Sequence, residues 1–399
     1  MSTPSDILER VRPFVNRSRM VETARELIAV PSRTGEAGAV SDRLAEILRA
    51  EGFAVERPTG GHDAAPAVVV RLDSGRPGKT LQFNGHLDTV HLPFVPPAVE
   101  SGRITGSGAA DMKGGTAAAI EALRAVRESG LLSGGSVLFS AHDLHESPWG
   151  DGRQLDVLIR AGYVGDAVLL PEPLTTHLPV IGRGLAVWKL ALERAGAPVH
   201  EVMRPLDAPS VIEAAAGVIE ELARLARTLS DEPRASLPEA DPGPSSVFIG
   251  QVHAGEIYNQ YPQVARLEGT RRWLPGTDPR GVESDLRARI DRVAREHGVA
   301  ARLDWIFTRG AFALDLQHPI VGLFRALDRA ARPDVPPLPL GAKPFVDDGN
   351  SFSAIANVPA ITHGPRAGGA HTLDEWIEID DMVRVAGLYA ATALAFCPG

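Results

Sequence analysis

The sequence predicts an α/β protein with a mostly parallel sheet, interrupted by a smaller ferredoxin-like domain. Short apolar runs alternate with helical segments over roughly the first 180 residues, a β-α-β-β-α-β order follows, and the alternation then resumes. Strands that alternate with helices are typical of parallel sheets. We therefore predict a discontinuous larger domain, residues 1–183 and 310–399, and an inserted domain, residues 184–309.

The elements of the larger domain follow from the spacing of its apolar residues. Met20, Ala24 and Leu27 recur at helical spacing, as do Leu44 and Leu48, which predicts two helices within the first 55 residues. The other predicted elements are strands 67–72, 81–90, 136–142, 166–173 and 358–365 and helices 112–128, 153–161, 318–332 and 380–396.

The inserted domain has a different order of strands and helices. Its predicted elements are strand 185–193, helix 208–229, strands 245–251 and 264–273, helix 279–297 and strand 301–307. This order is the split βαβ, or ferredoxin-like, arrangement. The Pro/Gly-rich stretches 232–244 and 332–345 are predicted to be loops.

Composition excludes several classes of protein. The 41 basic and 50 acidic residues give a formal charge of -9, and no basic cluster stands out, which argues against a nucleic-acid partner. Apolar runs are too short for a membrane span, and the first residues lack the apolar segment of a secretory signal. The lone Cys397 fits a reducing compartment. We expect a cytoplasmic protein without membrane or nucleic-acid partners.

Polar residues follow the predicted strands of the larger domain. His86 and Asp88 follow LQFN, residues 142–146 include two histidines and two acids, Glu172 follows AVLLP, and His371 follows the last strand. In open α/β sheets ligands bind beyond the carboxyl ends of the strands. We therefore expect these side chains to converge on one cleft.

Asp111 opens the helix that lies between the first two of these strands. Taken singly, Asp111 could be a helix N-cap and Glu172 a solvated loop acid. Taken together, imidazole and carboxylate groups without thiolate suit Zn²⁺, with Mn²⁺ or Co²⁺ as possible substitutes, and a carboxylate can bridge two metals. Two close metals activate water and polarise a carbonyl group.

Five motifs carry a resemblance that covers nearly the whole chain. They are GHLDTV (85–90), GSGAADMKGG (106–115), PEP (171–173), GEIYN…LEGTRRW (255–273) and GGAHTLDEWIEIDDM (368–382). In this order they resemble the di-zinc metallopeptidase family that includes acetylornithine deacetylase, succinyl-diaminopimelate desuccinylase, carboxypeptidase G and the bacterial aminoacylases. The resemblance implies two Zn²⁺ ions, a lid domain that forms a homodimer, and hydrolysis of an N-acyl amino acid or small peptide.

The resemblance also implies the ligands of each metal. Asp111 would bridge the two ions. His86 and Glu172 would bind one ion, and Glu146 and His371 would bind the other.

Further residues match positions near the substrate in this family. Asp88 would orient His86, and His200 would reach the active site of the partner subunit to stabilise the tetrahedral oxyanion. Arg272 would hold a substrate carboxylate through bidentate hydrogen bonds. Asn259 matches an asparagine that often lies near the substrate.

One position departs from the family pattern. The family has two adjacent glutamates, the first being the general base, whereas this chain has His145 and Glu146. His145 could accept a proton from metal-activated water, it could bind a metal itself, or Asp143 could serve as the base. The segment 345–352 also differs from the usual loop.

We predict a metal-dependent amidohydrolase. The alternative is a non-catalytic binding or regulatory protein, or one with altered chemistry, because His145 replaces the usual glutamate. Replacing His145 by glutamate separates the two: a gain from no activity to measurable hydrolysis would support the binding protein, whereas an active natural chain removes it.

Overall fold

The computed structural model describes residues 3–148, 150–232 and 240–399. Most of the predicted loop 232–244 lies outside the described residues. The α-helices are α1 (Pro4–Val11), α2 (Arg17–Ile28), α3 (Gly38–Ala50), α4 (Lys113–Ser129), α5 (Arg153–Arg160), α6 (Val211–Asp231), α7 (Pro279–Glu296), α8 (Pro319–Ala331), α9 (Asp348–Ser351) and α10 (Ile379–Phe396).

The strands are β1 (Val55–Glu56), β2 (Val68–Asp73), β3 (Thr80–His86), β4 (Ala98–Glu100), β5 (Arg103–Thr105), β6 (Ser136–His142), β7 (Ala167–Leu170), β8 (Leu178–Gly182), β9 (Gly184–Glu193), β10 (Val199–His200), β11 (Ser246–Ala254), β12 (Gln260–Tyr261), β13 (Val264–Trp273), β14 (Ala300–Arg309), β15 (Phe312–Ala313), β16 (Leu340–Ala342), β17 (Ala360–Thr362), β18 (Ala367–Gly368) and β19 (Trp376–Glu378). Among the described residues, no helix combines the length and the apolar character that a membrane span needs.

The chain divides into two units. The first comprises residues 1–181, 312–343 and 347–399, and the second comprises residues 182–311 and 344–346. The first unit is built on a six-stranded sheet in the order β1-β2-β6-β3-β7-β17, in which β6, β3, β7 and β17 are parallel neighbours. The prediction of an α/β fold with a mostly parallel sheet is confirmed.

Apart from Thr80 at the start of β3, the central strands are buried along their whole length, as parallel strands covered on both faces must be. Helix α4 contacts β3, α2 and α10. At its start, a Cβ on Gly115 would come within 2.1 Å of the Pro171 carbonyl oxygen, so only glycine lets this end of the helix approach the end of β7 so closely. The motif at 106–115 thereby lies beside the motif at 171–173.

A second sheet of the first unit, in the order β18-β19-β5-β4, was not predicted. Its strands have only two or three residues, too few to show an alternating pattern. The antiparallel pairing of β5 with β19, where Thr105 faces Trp376, places the loop that leads to Asp111 beside the loop that contains His371. A third, three-stranded sheet, β15-β8-β16, was also not predicted; its outer strands have only two and three residues, while β8 has five.

Predicted strand 81–90 is too long at its end. The strand ends at His86: Leu87 N–H still bonds the His142 carbonyl of β6, but Thr89 N–H bonds the Ser32 carbonyl, outside the sheet. Predicted strands 166–173 and 358–365 are likewise longer than β7 and β17. Most of the surplus residues form the loops that follow these strands.

The second unit contains a four-stranded antiparallel sheet in the order β11-β13-β9-β14, with α6 and α7 packed against it. The chain order of these elements is β-α-β-β-α-β. Its core includes Trp188, Leu222, Leu267 and Leu286. A separate two-stranded ribbon pairs β10 with β12 and sets His200 opposite Gln260.

Candidate metal centre

His86 ends β3 and is completely buried. Its Nε2 lies 3.1 Å from Asp111 Oδ1 and 3.8 Å from Glu172 Oε1. Its Nδ1 lies 3.0 Å from the Asp88 carbonyl oxygen and 3.5 Å from the Asp88 carboxylate. Burial acts to lower the pKa of His86, but the hydrogen bonds with Asp111 and Asp88 raise it well above its ordinary value.

Asp88 also joins the loop after β3 to the segment after β6. Its Oδ2 accepts the main-chain N–H groups of His145, at 3.0 Å, and Glu146, at 2.8 Å. Its Oδ1 is buried without a hydrogen-bond partner among the described residues. Asp88 therefore lies where it can hold His86 in place and fix the backbone of residues 145 and 146.

Asp111 lies between two imidazoles. One of its oxygens is 3.1 Å from His86 Nε2 and the other is 3.4 Å from His371 Nε2. Burial opposes ionisation, but the hydrogen bonds with His371 and His86 hold the pKa of Asp111 far below its ordinary value. One carboxylate thus faces two separate groups of ligands, as a bridging ligand must.

Glu375 supports Asp111 from the neighbouring loop. Its Oε2 accepts the main-chain N–H groups of Ala110, at 3.1 Å, and Asp111, at 3.3 Å. Burial raises the pKa of Glu375 to about 7. Glu375 was not among the predicted site residues, although it lies four positions after His371.

Glu146 and His371 form the other side of the cluster. His371 Nε2 lies 3.2 Å from the Glu146 carboxylate. His371 has a φ of 62°, an uncommon conformation for a residue other than glycine. Its hydrogen bonds with Asp111 and Glu146 raise its pKa to about 10. Burial and the nearby Asp111 raise the pKa of Glu146.

Glu172, two residues after β7, completes the set. It is buried, and burial together with the charge of Asp111 raises its pKa well above the ordinary value. Within the described residues, the ion pairs of Asp111, Glu146 and Glu172 involve histidine rings alone. Two buried carboxylates and the mostly shielded carboxylate of Asp111, all without lysine or arginine partners, call for another source of positive charge.

The donor atoms fit divalent metal ions. Ligand atoms of His86, Asp111 and Glu146 lie within 4.8 Å of one another, and so do those of His86, His145 and Glu172. Two ligand atoms bound to one tetrahedral zinc ion lie about 3.4 Å apart, close to the 3.1–3.4 Å separations around Asp111. Imidazole and carboxylate donors match Zn²⁺, Mn²⁺ or Co²⁺.

His145 lies at the edge of this cluster. Its ring stacks on the His86 ring, with centroids 3.9 Å apart and planes 9° from parallel. Its Nε2 lies 3.9 Å from Glu172 Oε1, while its Nδ1 lies 2.8 Å from Asp348 Oδ1. The histidine at the position of the family's base therefore faces the ligands with one nitrogen and a carboxylate with the other.

Asp348 was not among the predicted site residues. It is buried, and its Oδ2 lies 2.7 Å from His142 Nε2. Burial acts to raise the pKa of Asp348, but the charges of His142 and His145 bring it well below the ordinary value. The segment 345–352, noted for departing from the family loop, was the signal that could have pointed to it.

Asp143, the alternative base, has a structural role. Its carboxylate accepts the main-chain N–H groups of Gly35, at 2.9 Å, and Ala37, at 3.0 Å, and lies 3.1 Å from His62 Nε2. Both oxygens are therefore occupied in holding the 35–37 segment. The structure favours His145 over Asp143 as the residue that faces the cluster.

Three predicted residues belong to the second unit. His200 is half exposed, and its Nε2 lies 3.0 Å from Asn259 Nδ2. Arg272 lies on β13, and its side chain has no acidic partner among the described residues. Burial and the charge of nearby Arg183 lower its pKa. The structure thus brings His200 and Asn259 together and leaves Arg272 separate from them.

Comparisons with known proteins agree with this chemistry. The family model of peptidase family M20/M25/M40 matches residues 82–395. A succinyl-diaminopimelate desuccinylase of Methylobacterium radiotolerans is 28% identical over 400 residues, covering 94% of this chain and 96% of the relative.

Two solved structures share the fold. A metallo-carboxypeptidase of family M20 from Sulfolobus solfataricus has a TM-score of 0.77 at 15% identity, covering 94% of this chain and 99% of its own. A dinuclear metal-binding peptidase of the same family from Bacillus subtilis has a TM-score of 0.68 at 16% identity, with 96% and 98% covered. The named relatives are hydrolases, which supports catalysis over the non-catalytic alternative.

Proposed function

We propose that this chain, which belongs to peptidase family M20/M25/M40, uses two zinc ions to cleave an N-acyl amino acid or small peptide. Its family and its relatives make it a metal-dependent hydrolase of amide bonds. The position of Asp111 carries the proposal, because this one carboxylate faces both His86 and His371. Co²⁺ or Mn²⁺ could replace zinc at such a site.

Each side of the cluster supplies ligands for one ion. His86 and Glu172 would hold the first, Glu146 and His371 the second, and Asp111 would bridge them. The bound ions would polarise the substrate carbonyl and make water more acidic. Asp88 would hold His86 at Nδ1, where its carbonyl oxygen lies at 3.0 Å and its carboxylate at 3.5 Å, near the position taken by the carboxylate partners of metal-binding histidines.

His145 is proposed to take the proton from water at Nε2. The nitrogen faces the ligand cluster at Glu172, and the opposite nitrogen is engaged by Asp348. A neutral imidazole with one nitrogen in a hydrogen bond keeps the other as an acceptor. This arrangement can perform the task of the glutamate that the family has at this position.

We propose that the chain acts as a homodimer through its second unit. Leu206 and Tyr258 are almost entirely exposed, at 95% and 100%, and Met203 and Phe248 are also exposed. Large exposed apolar patches mark interaction surfaces, and these side chains of the second unit are the candidates for one. The half-exposed His200 would then be available to the active site of the partner subunit, where it would stabilise the oxyanion.

Replacing His200 by alanine is expected to lower kcat about 100- to 1,000-fold, the typical effect of losing one oxyanion donor, with little change in KM. His253, equally exposed and in the same unit, provides the matched control His253→Ala. Steady-state kinetics and light scattering measure activity and oligomeric state. Equal losses in the two variants, or an active monomer, would contradict the proposed role in the partner's site.

Arg272 is proposed to bind a carboxylate of the substrate. The guanidinium has no acidic partner among the described residues, and a second cation, Arg183, lies near it. A pair of arginines is suited to an anionic group. The free carboxylate of the amino acid or peptide would be the anionic group that Arg272 binds.

Replacing Arg272 by alanine is expected to raise KM about 10- to 100-fold, as loss of a charge-assisted hydrogen bond predicts. The control Arg266→Ala removes an exposed guanidinium from the same strand. Kinetics with a substrate and its carboxamide analogue measure the effect. A variant that loses the same factor with both substrates would show that Arg272 does not contact the carboxylate.

The substrate itself is best identified by amine release from a panel of N-acetyl, N-succinyl and N-carbamoyl amino acids and dipeptides. Metal content is measured on the same sample. We expect hydrolysis of at least one class of substrate in the panel. A metal-loaded protein that cleaves none of them would contradict the proposed function. We further propose a cytoplasmic location, since the one cysteine, Cys397, is buried and unpaired.

A further inference from the structure

The buried carboxylate of Asp348 joins two histidines beside the metal-ligand cluster. Its Oδ1 lies 2.8 Å from His145 Nδ1, and its Oδ2 lies 2.7 Å from His142 Nε2. Asn84 donates its amide N–H to Oδ2 at 2.8 Å, and its amide oxygen accepts from Ser140 Oγ. An ionised carboxylate only accepts hydrogen bonds, so each of these neighbours presents an N–H group to Asp348.

His142 balances the charge of Asp348. Its Nδ1 lies 2.9 Å from the carbonyl oxygen of Asp143, and its Nε2 faces the Asp348 carboxylate. Both ring nitrogens therefore meet acceptors, which is the arrangement of an imidazolium with two N–H groups. The two oxygens of Asp348 thus face His142 Nε2 and His145 Nδ1 separately.

The other nitrogen of His145 faces the metal ligands. Its Nε2 lies 3.9 Å from Glu172 Oε1, and the stacked rings of His145 and His86 present this nitrogen to the same region. The main-chain N–H of His145 bonds Asp88, which fixes the backbone as well. The side chain is thus held at its backbone, its ring face and Nδ1.

We infer that Asp348 is a positioning residue that fixes the ring orientation and the tautomer of His145, so that Nε2 carries the lone pair toward the metal centre. The inference rests on the proposed function. A glutamate has two equivalent oxygens and needs no such partner. An imidazole is useful as a proton acceptor at one nitrogen only when its proton is held at the other.

The kinetic test is a double-mutant cycle. Asp348→Asn is expected to lower kcat about 10- to 100-fold, the usual effect of removing such a partner, while KM and bound metal stay the same. In a His145→Glu background the same change is expected not to lower kcat, because Asp348 acts only through the imidazole. Equal losses in both backgrounds would indicate a general structural role and overturn the inference.

A second test needs neither metal nor substrate. Imidazole ¹⁵N NMR of the metal-free natural chain, with the His145 signals identified by their loss in His145→Gln, is expected to show His145 protonated at Nδ1. Asp348→Asn should change these signals. Asp143→Asn, the same change at a buried aspartate that does not contact the His145 ring, should leave them in place. A natural chain with His145 protonated at Nε2 overturns the inference even if Asp348→Asn fails to fold.

Metal content tests the remaining alternative, that His145 and Asp348 help to bind the metal ions. If both His145→Gln and Asp348→Asn lose bound metal, the pair belongs to the ligand set and the inference is wrong. If the loaded natural chain hydrolyses no amide, the proposed function fails, and the NMR result still decides how Asp348 holds His145.

Discussion

Replacing Asp111 by asparagine is expected to abolish amide hydrolysis, with a loss beyond the roughly 100- to 1,000-fold that removal of a single oxyanion donor causes. The two oxygens of Asp111 face His86 and His371, so one carboxylate serves both sides of the cluster. An amide has one acceptor oxygen and an NH2 group that only donates, so it cannot bridge two cations through two oxygens. Kinetics and bound metal per chain measure the effect.

The matched control is Asp380→Asn, the same change at an exposed aspartate that pairs with Arg17. It is expected to keep full activity and metal content. Circular dichroism and a thermal melt confirm that both variants fold. An Asp111→Asn protein that retains two ions and natural activity would show that the centre is not organised around Asp111.

Chelation is expected to remove activity and to lower the melting temperature of the natural chain. Glu146 and Glu172 are buried and the Asp111 side chain is only 16% exposed, and the only ion-pair partners of these three acids among the described residues are histidines. A bound ion stabilises the folded state by about 2.7 kcal/mol when its free concentration is 100 times its dissociation constant. Two ions therefore contribute about 5 kcal/mol under such conditions.

The measurement is a pair of melts, with zinc and with chelator, on the natural chain and on Asp111→Asn. We expect a shift in the natural chain that is much smaller in the variant, and activity that returns when zinc is restored. Identical melting temperatures with and without chelator in the natural chain would mean that no ion occupies the cluster.

Most of the metal cluster could be predicted from the order of strands and polar residues. His86 is the last residue of a parallel strand, Glu146 and Glu172 follow two others, and parallel strands of one sheet end at the same edge. The strand ends were less predictable because apolar residues continue into the site loops. After His86 the chain turns to the segment around Ser32, where Thr89 N–H bonds the Ser32 carbonyl. No local sequence pattern predicts this contact.

The supporting residues could not be predicted, because they depend on contacts between distant segments. Asp348 meets His145 across 203 positions, and Glu375 meets Asp111 across 264. The pairing of β5 with β19 brings Glu375 close to Asp111. Strands of three residues are too short to show an alternation of apolar and polar residues in the sequence. Asp143 was considered as a base because of its place in the segment after β6. Its carboxylate instead accepts the main-chain N–H groups of Gly35 and Ala37, a role that its position in the sequence does not show.

The most direct test of a dinuclear hydrolase is the metal-to-protein ratio and the rate of amide hydrolysis, both measured on one purified sample. The site geometry predicts two divalent ions per chain and hydrolysis that rises and falls with their occupancy. A preparation that hydrolyses the substrate at full rate without bound metal would contradict it.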